Sequence, residues 1–355
     1  MSLSNSWENN VRKVVPYTPG EQPKDTNVIK LNTNENPYPP SPKVKEILEN
    51  YDCGKMRLYP DPDSTVLVEA IAERYKLSKS QVFVGVGSDD VLSIAFLTFF
   101  NSDKPIIFPD ITYSFYDVWA DVYRIPYVQK PLTEDFRINP DDYKCENGGI
   151  IFPNPNAPTG CEESLELIEE IVKANPESVV IIDEAYVDFG AESALALIDK
   201  YENLLVIQTF SKSRSMAGMR IGFAIGSEKL IKYMNDVKFS INSYTMNPIT
   251  QLCGAASMAD EEYFRETVDR IIATRERSKA RLADLGFVFP DSKTNFIFAR
   301  PQKVSAQVIF EELKKRNIFV RYWNKPIICD YLRISIGTDE EMDRLFNALE
   351  EIING

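Results

Sequence analysis

Val179-Val180-Ile181-Ile182-Asp183-Glu184-Ala185-Tyr186 is an apolar run that ends abruptly in a carboxylate. An unbroken apolar run of this length predicts a strand buried on both faces, as in a parallel sheet covered by helices. Runs of the same kind recur at Val82-Phe83-Val84, Ile106-Ile107-Phe108, Ile150-Ile151-Phe152 and Leu204-Leu205-Val206-Ile207. Helical stripes lie between them, one of Val66, Leu67, Ala70 and Ile71 and one of Leu165, Ile168, Ile171 and Val172. Strands alternating with helices predict an α/β fold on a mostly parallel sheet. After about residue 240 the pattern changes to a long charged helix over roughly 260–285, closed by Gly286. Short strands near 295–299, 318–321 and 331–335 then alternate with helices near 304–316 and 339–352. The expected organisation is an irregular Pro- and Asn-rich arm over 1–42, a large domain over 43–245 and a smaller α+β domain over 246–355.

A chain of 355 residues exceeds what one hydrophobic core usually holds, which agrees with two domains. Its 40 basic and 53 acidic residues leave a net charge of −13, which argues against a nucleic-acid partner and against an anionic membrane surface. Any anionic ligand must therefore be held by local arginines. No apolar run approaches the roughly 18 residues of a membrane span, and the first residues lack a secretory pattern, so a cytoplasmic protein is expected. The 5 cysteines are scattered without a CxxC pair, as expected of reduced thiols. The absence of histidine removes Ser-His-Asp and Cys-His nucleophiles and the imidazole ligands of most metal sites, so no metal is expected. A proton shuttle here needs another base, and lysine is the natural candidate.

Thr209-Phe210-Ser211-Lys212-Ser213-Arg214-Ser215-Met216-Ala217-Gly218-Met219-Arg220 follows the last of the apolar runs. A lysine amine can form a Schiff base with an aldehyde, and hydroxyls with an arginine can hold a phosphate. A carboxylate delivered by a buried strand, Asp183, can keep a pyridine nitrogen protonated. These are the separate needs of pyridoxal 5'-phosphate. Tyr186 could donate to the phenolic oxygen of that cofactor. Gly85-Val86-Gly87-Ser88-Asp89-Asp90 opens a helix whose free N–H groups suit a phosphate, and Asp90 stands where a dinucleotide fingerprint needs glycine. Arg321 and Arg333 sit within apolar strand patterns, where a guanidinium needs an anion: a substrate carboxylate or phosphate, or a structural Asp or Glu. Tyr113 could stack on a flat ring or simply fill the core.

The order of these motifs resembles the fold-type I pyridoxal-phosphate-dependent aminotransferases along nearly the whole chain, and within them most closely the histidinol-phosphate branch. Further elements of the resemblance are Leu31-Asn32-Thr33-Asn34-Glu35-Asn36-Pro37, Leu58-Tyr59-Pro60, Asn154-Pro155-Asn156-Ala157-Pro158-Thr159-Gly160, Asp183-Glu184-Ala185-Tyr186, Thr294-Asn295-Phe296 and Leu332-Arg333-Ile334. The resemblance implies a seven-stranded, mostly parallel sheet sandwiched by helices. It implies that Lys212 carries the Schiff base and then acts as the base, with Asp183 stabilising the electron sink. Ser88, Asp89 through its backbone, Thr209, Ser211 and Arg220 would hold the cofactor phosphate, and Tyr113 would stack on the ring. The family is homodimeric with shared sites, so Tyr59 would reach the cofactor phosphate of the partner and Tyr17 its substrate. Asn34 and Asn295 would line the substrate pocket. Arg321 and Arg333 would take the phosphate of histidinol phosphate or the carboxylates of glutamate and 2-oxoglutarate.

One position departs from the family pattern. The asparagine usual before Pro-Thr-Gly is replaced by Ala157, with Asn156 one place earlier. A slip of one residue is not expected, which leaves Tyr186 as the main donor to the phenolic oxygen. The alternatives within the fold are a threonine-phosphate decarboxylase and an aromatic-amino-acid aminotransferase. A cofactor-sensing regulator would need a basic helix-turn-helix extension that residues 1–42 lack, and a nicotinamide oxidoreductase leaves Lys212 and Asp183 unexplained.

Overall fold

The computed structural model describes residues 6–24 and 27–355. The first half contains β1 (Ile29–Leu31), α1 (Pro42–Asn50), α2 (Thr65–Tyr75), β2 (Val82–Gly85), α3 (Ser88–Phe99), β3 (Ile106–Pro109), α4 (Tyr116–Tyr123), β4 (Tyr127–Lys130), β5 (Gly149–Pro153) and α5 (Leu165–Ala174). There follow β6 (Val180–Asp183), β7 (Leu204–Thr209), β8 (Gly222–Gly226), α6 (Glu228–Ile241), α7 (Pro248–Met258) and α8 (Glu261–Asp284). The chain ends with β9 (Phe287–Val288), β10 (Phe296–Pro301), α9 (Ala306–Lys315), β11 (Ile318–Tyr322), β12 (Leu332–Ser335) and α10 (Asp339–Asn354).

The five apolar runs become β2, β3, β5, β6 and β7 of a seven-stranded sheet in the order β2-β8-β7-β6-β5-β3-β4. Only β8 runs antiparallel to its neighbours, β2 and β7. The apolar runs have two covered faces to fill. Ile150, Phe152, Val180, Ile182, Leu204 and Val206 pack on the side of α5, whereas Ile151, Ile181, Leu205 and Ile207 pack with residues of α3, α4 and α6. Strands β4 and β8 were not anticipated. The residues of β4 lie on an edge and are largely exposed, so they carry no apolar run, and two of the five residues of β8 are glycine.

Ile29–Leu31, expected within an irregular arm, instead pairs in parallel with β11 at the edge of a second sheet of order β1-β11-β12-β10-β9. Ile29 and Leu31 are buried there among Phe296, Ile318, Val320, Ile334 and Phe346. Three residues are too few to show a period in sequence, and partners 289 positions away in the chain, Ile29 facing Ile318, complete them. Helix α7 packs on α1 and α2, with Gly254 so close that an added Cβ would stand 2.8 Å from Leu67 Cδ1.

The helix ends are written locally. Ser164, Ser227, Asn247 and Ser305 each accept a backbone N–H in the first turn of α5, α6, α7 and α9. Thr338 and Glu341 form a reciprocal capping box on α10. Gly286, at φ +82°, lets the chain turn back after α8 into β9. Phe346, fully buried where α10 meets the second sheet, is predicted to cost about 3–5 kcal/mol of stability when replaced by alanine, read as a lower urea midpoint.

Candidate active site

Three parallel strands, β5, β6 and β7, end side by side at Pro153, Asp183 and Thr209, so their carboxyl edge is where the sheet opens to a ligand. A chamber of about 190 Å³ lies there, lined among others by Ser88, Asp89, Tyr113, Asp183, Tyr186, Thr209, Ser211, Lys212 and Arg220. The Asp183 carboxylate accepts Tyr116 O–H at 2.9 Å and the Ala185 N–H at 3.2 Å. Burial outweighs both bonds and pushes its pKa up to about 6. No lysine or arginine forms an ion pair with it among the described residues, so the buried carboxylate is suited to a cationic ring nitrogen. Lys212 stands opposite, its Nζ donating to the Thr33 carbonyl at 3.2 Å and lying 5.7 Å from the centre of the Tyr186 ring. Asn36 holds the lysine in place through its side-chain amide, bonded to the carbonyls of Lys212 at 3.1 Å and Ser213 at 3.2 Å.

The other end of the chamber is a cradle for a phosphate. Helix α3 begins at Ser88 after Gly87, which offers no side-chain cap, so its first N–H groups face the chamber without a protein acceptor from that residue. Gly87 has φ +89°, and a Cβ there would stand 2.4 Å from Arg220 Nη2. Gly222 is tighter still, since its Cβ would meet the Ser88 backbone nitrogen at 2.3 Å. These two glycines let the turn, the arginine and β8 close on one small space. Thr209 and Ser211 add hydroxyls bonded to each other at 3.0 Å. Arg220, at φ 56°, reaches Asp89 Oδ2 at 3.2 Å, and Tyr113 donates to the same carboxylate at 2.8 Å. An uncapped helix start, hydroxyls, an arginine, a lysine amine and a buried carboxylate in one chamber fit pyridoxal 5'-phosphate from its phosphate to its ring nitrogen.

The chamber opens at Thr33, Tyr113, Ala157, Tyr186 and Lys212 into an outer one of about 560 Å³. Arg321 and Arg333 line its far wall, directly opposed in register on β11 and β12. Both guanidinium groups lie 5.2 Å from the Trp323 ring. Arg333 donates to the Asn32 carbonyl at 2.9 Å, its Nε is buried without a partner, and burial presses its pKa down, aided by Arg321. Neither arginine pairs with a structural carboxylate among the described residues.

The other positions singled out in the sequence take definite places around the chambers. Tyr17 lines the outer chamber of its own chain, its ring stacked on Phe115 at 4.3 Å. Asn295 is fully enclosed behind the wall, donating to the Asn34 carbonyl at 3.0 Å, and lines neither chamber. Asn34 does line the outer chamber, but its amide is committed to Tyr186 and Ser335. Tyr113 lines both chambers, and its hydroxyl is held by Asp89. Tyr59 lies outside both, 81% exposed and stacked on Tyr244. Ala157, and not Asn156, faces the inner chamber, because the Asn156 amide donates to the Ile111 carbonyl at 3.0 Å and to Thr159 at 2.9 Å. The sequence reading missed Tyr116 and Trp323. Trp323 stands two residues after Arg321, and that spacing, which places both on one face of an extended chain, could have shown it.

With its pKa raised, Asp183 favours the folded chain while protonated, and that contribution is lost as pH rises from 3.8 to about 6. Asp183→Asn is predicted to flatten this segment of the stability profile of the cofactor-free protein, measured by urea titration at successive pH values. It is also predicted to weaken cofactor binding at neutral pH.

The family model for aminotransferase class I and II matches residues 26–349. The histidinol-phosphate aminotransferase of Lactococcus lactis subsp. cremoris MG1363 is 51% identical over 348 residues, covering 98% of each chain. Histidinol-phosphate aminotransferase 1 of Hydrogenovibrio crunogenus is 52% identical over 351 residues, covering 99% of each. Among solved structures, the histidinol-phosphate aminotransferase of Sinorhizobium meliloti in complex with pyridoxal-5'-phosphate superposes with a TM-score of 0.84 at 25% identity, covering 92% of this chain and 91% of that one. The Clostridium acetobutylicum enzyme of the same name shares the fold, with a TM-score of 0.85 at 22% identity over 92% of this chain and 99% of that one. A strand-end carboxylate, a lysine facing it and a helix-start cradle thus occur in a chain that belongs to the class I and II aminotransferase family.

Proposed function

We propose that this chain interconverts L-histidinol phosphate plus 2-oxoglutarate with imidazole acetol phosphate plus L-glutamate, using pyridoxal 5'-phosphate. The observation that carries the substrate is the pair Arg321 and Arg333, two unneutralised guanidinium groups opposed on adjacent strands in the chamber that Lys212 enters. Like charges so placed repel each other, and an anion between them relieves the repulsion. One planar fork accepts a phosphate or a carboxylate with the same two hydrogen bonds, so the two substrates can take turns in one site. The relatives named for histidinol phosphate, at about half identity over nearly the whole chain, support the same choice.

When bound, pyridoxal phosphate supplies an aldehyde and an electron-withdrawing ring that makes the proton beside a substrate amine labile. Asp183 would hold the ring nitrogen protonated, its cost of burial then met by a cation. The N-terminus of α3, Ser88, Thr209, Ser211 and Arg220 would bind the phosphate. Lys212 Nζ, where the two chambers meet, takes the proton from the amine-bearing carbon of the substrate. Tyr113 and Tyr17 line the outer chamber beside it.

A homodimer is part of the reading. Tyr59 lies with Met56, Leu58 and Tyr244 on an exposed apolar patch, where only a second copy would bring it to a phosphate cradle. No helix among the described residues is long and apolar enough to cross a membrane.

The test is a single-turnover absorbance experiment on the cofactor-loaded protein without keto acid. L-Histidinol phosphate is expected to convert the visible cofactor band, whereas L-phenylalanine and L-threonine phosphate are not. Carbon dioxide released from threonine phosphate would move the assignment to a decarboxylase. Arg333→Gln is predicted to lower kcat/KM about 10- to 150-fold for histidinol phosphate and for glutamate alike, the loss of one charge-assisted hydrogen bond. An effect on one substrate alone would refute the shared anion site.

A further inference from the structure

Asn34 lines the outer chamber, next to Thr33 where the two chambers meet, with φ 55°, a left-handed conformation that asparagine tolerates better than most residues. Its contacts form a closed circuit. The Asn34 backbone N–H donates to Ser335 Oγ at 2.9 Å, and Ser335 O–H donates to Asn34 Oδ1 at 2.9 Å. The serine oxygen accepts the backbone proton while its own proton goes to the amide oxygen. This fixes the amide with its nitrogen turned the other way, where Nδ2 donates to Tyr186 Oη at 2.9 Å. The Asn295 amide holds the Asn34 carbonyl from behind at 3.0 Å. The Tyr186 ring is held edge-on against Phe296, with ring centres 5.1 Å apart and an interplanar angle of 90°.

A phenolic proton prefers the plane of its ring, which leaves it two positions. The Asn34 N–H occupies one of them, so the proton is left the other, and Tyr186 itself lines both chambers. Without this contact Tyr186 could donate to Asn34 or to a water instead. The constraint matters more in this chain than its geometry alone suggests, because Ala157 lines the same chambers with no donor and Asn156 is committed elsewhere.

We propose that Asn34, oriented by Ser335, is a positioning residue that aims the Tyr186 hydroxyl at the phenolic oxygen of the cofactor and offsets the donor missing at Ala157. This deepens the reading of Tyr186 as that donor and rests on it. A donor to the phenolic oxygen stabilises its anionic form and lowers the pH at which the bound cofactor loses its proton.

The measurement is the pH midpoint of the visible absorbance of the cofactor-loaded protein, for single variants and in a double-mutant cycle. Tyr186→Phe is expected to raise the midpoint, and a midpoint that did not move would overturn the proposal by removing the donor role of Tyr186 itself. Asn34→Ala is expected to raise it in the same direction, and Ser335→Ala, which keeps the Asn34 side chain but removes the partner of both its backbone N–H and its amide oxygen, to raise it by less. In the Tyr186→Phe background both shifts should vanish, and adding Ala157→Asn to Asn34→Ala should bring the midpoint back down. If Tyr186→Phe moves the midpoint while the Asn34 and Ser335 variants do not, or if their shifts persist without the phenol, Asn34 does not act through Tyr186 and the proposal falls.

Discussion

Burying the carboxylate of Asp183 is the constraint on which the rest of the site depends. The strand that delivers it is covered on both faces, so the side chain cannot reach bulk water, and hydrogen bonds from Tyr116 and the Ala185 backbone leave its pKa at about 6. An anion under that penalty attracts a cation. The parallel arrangement of β5, β6 and β7 then dictates which groups can share the space, because only residues just beyond strand ends reach the same edge. Lys212 arrives three residues after β7, and Tyr186 three after β6.

Charge is arranged in the opposite sense in the outer chamber. The protein carries a net charge of −13, yet Arg321 and Arg333 face each other on paired strands without a carboxylate between them. Folding tolerates this because Trp323 and Phe296 offer ring faces to the guanidinium groups and the Asn32 carbonyl accepts one bond. The unsatisfied Nε of Arg333 is the residue of that compromise. An anionic substrate meets a site whose cost of desolvation was met during folding, and it gains interactions stronger than water provides.

The circuit through Asn34, Ser335 and Tyr186 shows how the second sheet takes part in chemistry on the first. Ser335 ends β12, Asn34 lies just beyond β1, and Tyr186 follows β6, so the contact crosses from one sheet to the other. Residues near position 34 were anticipated as an arm laid on a surface. Pairing of β1 with β11 instead makes them part of the wall, and an asparagine expected to meet substrate is engaged with the protein on both ends of its amide.

Much of the large domain was legible from local pattern. Five apolar runs specify the buried strands, since a two-sided core leaves no room for alternation, and serines, an asparagine and a threonine spell the helix starts because their side chains satisfy orphan N–H groups. Lys212, Asp183, Arg220 and Arg333 were legible for a related reason: each is a charge set in or beside apolar sequence, where only a ligand or a partner justifies it. What required the tertiary structure was everything decided by residues distant in the chain. The edge strand β1, the direction of β8, the stacking of Tyr17 on Phe115, the withdrawal of Asn295 behind Asn34 and the inward face of Ala157 carry no local period. By itself, then, the sequence determined which groups must be buried and which chemistries they could serve. Only the tertiary structure decided which way each polar group points, because a hydrogen bond's direction depends on a partner that local sequence does not name.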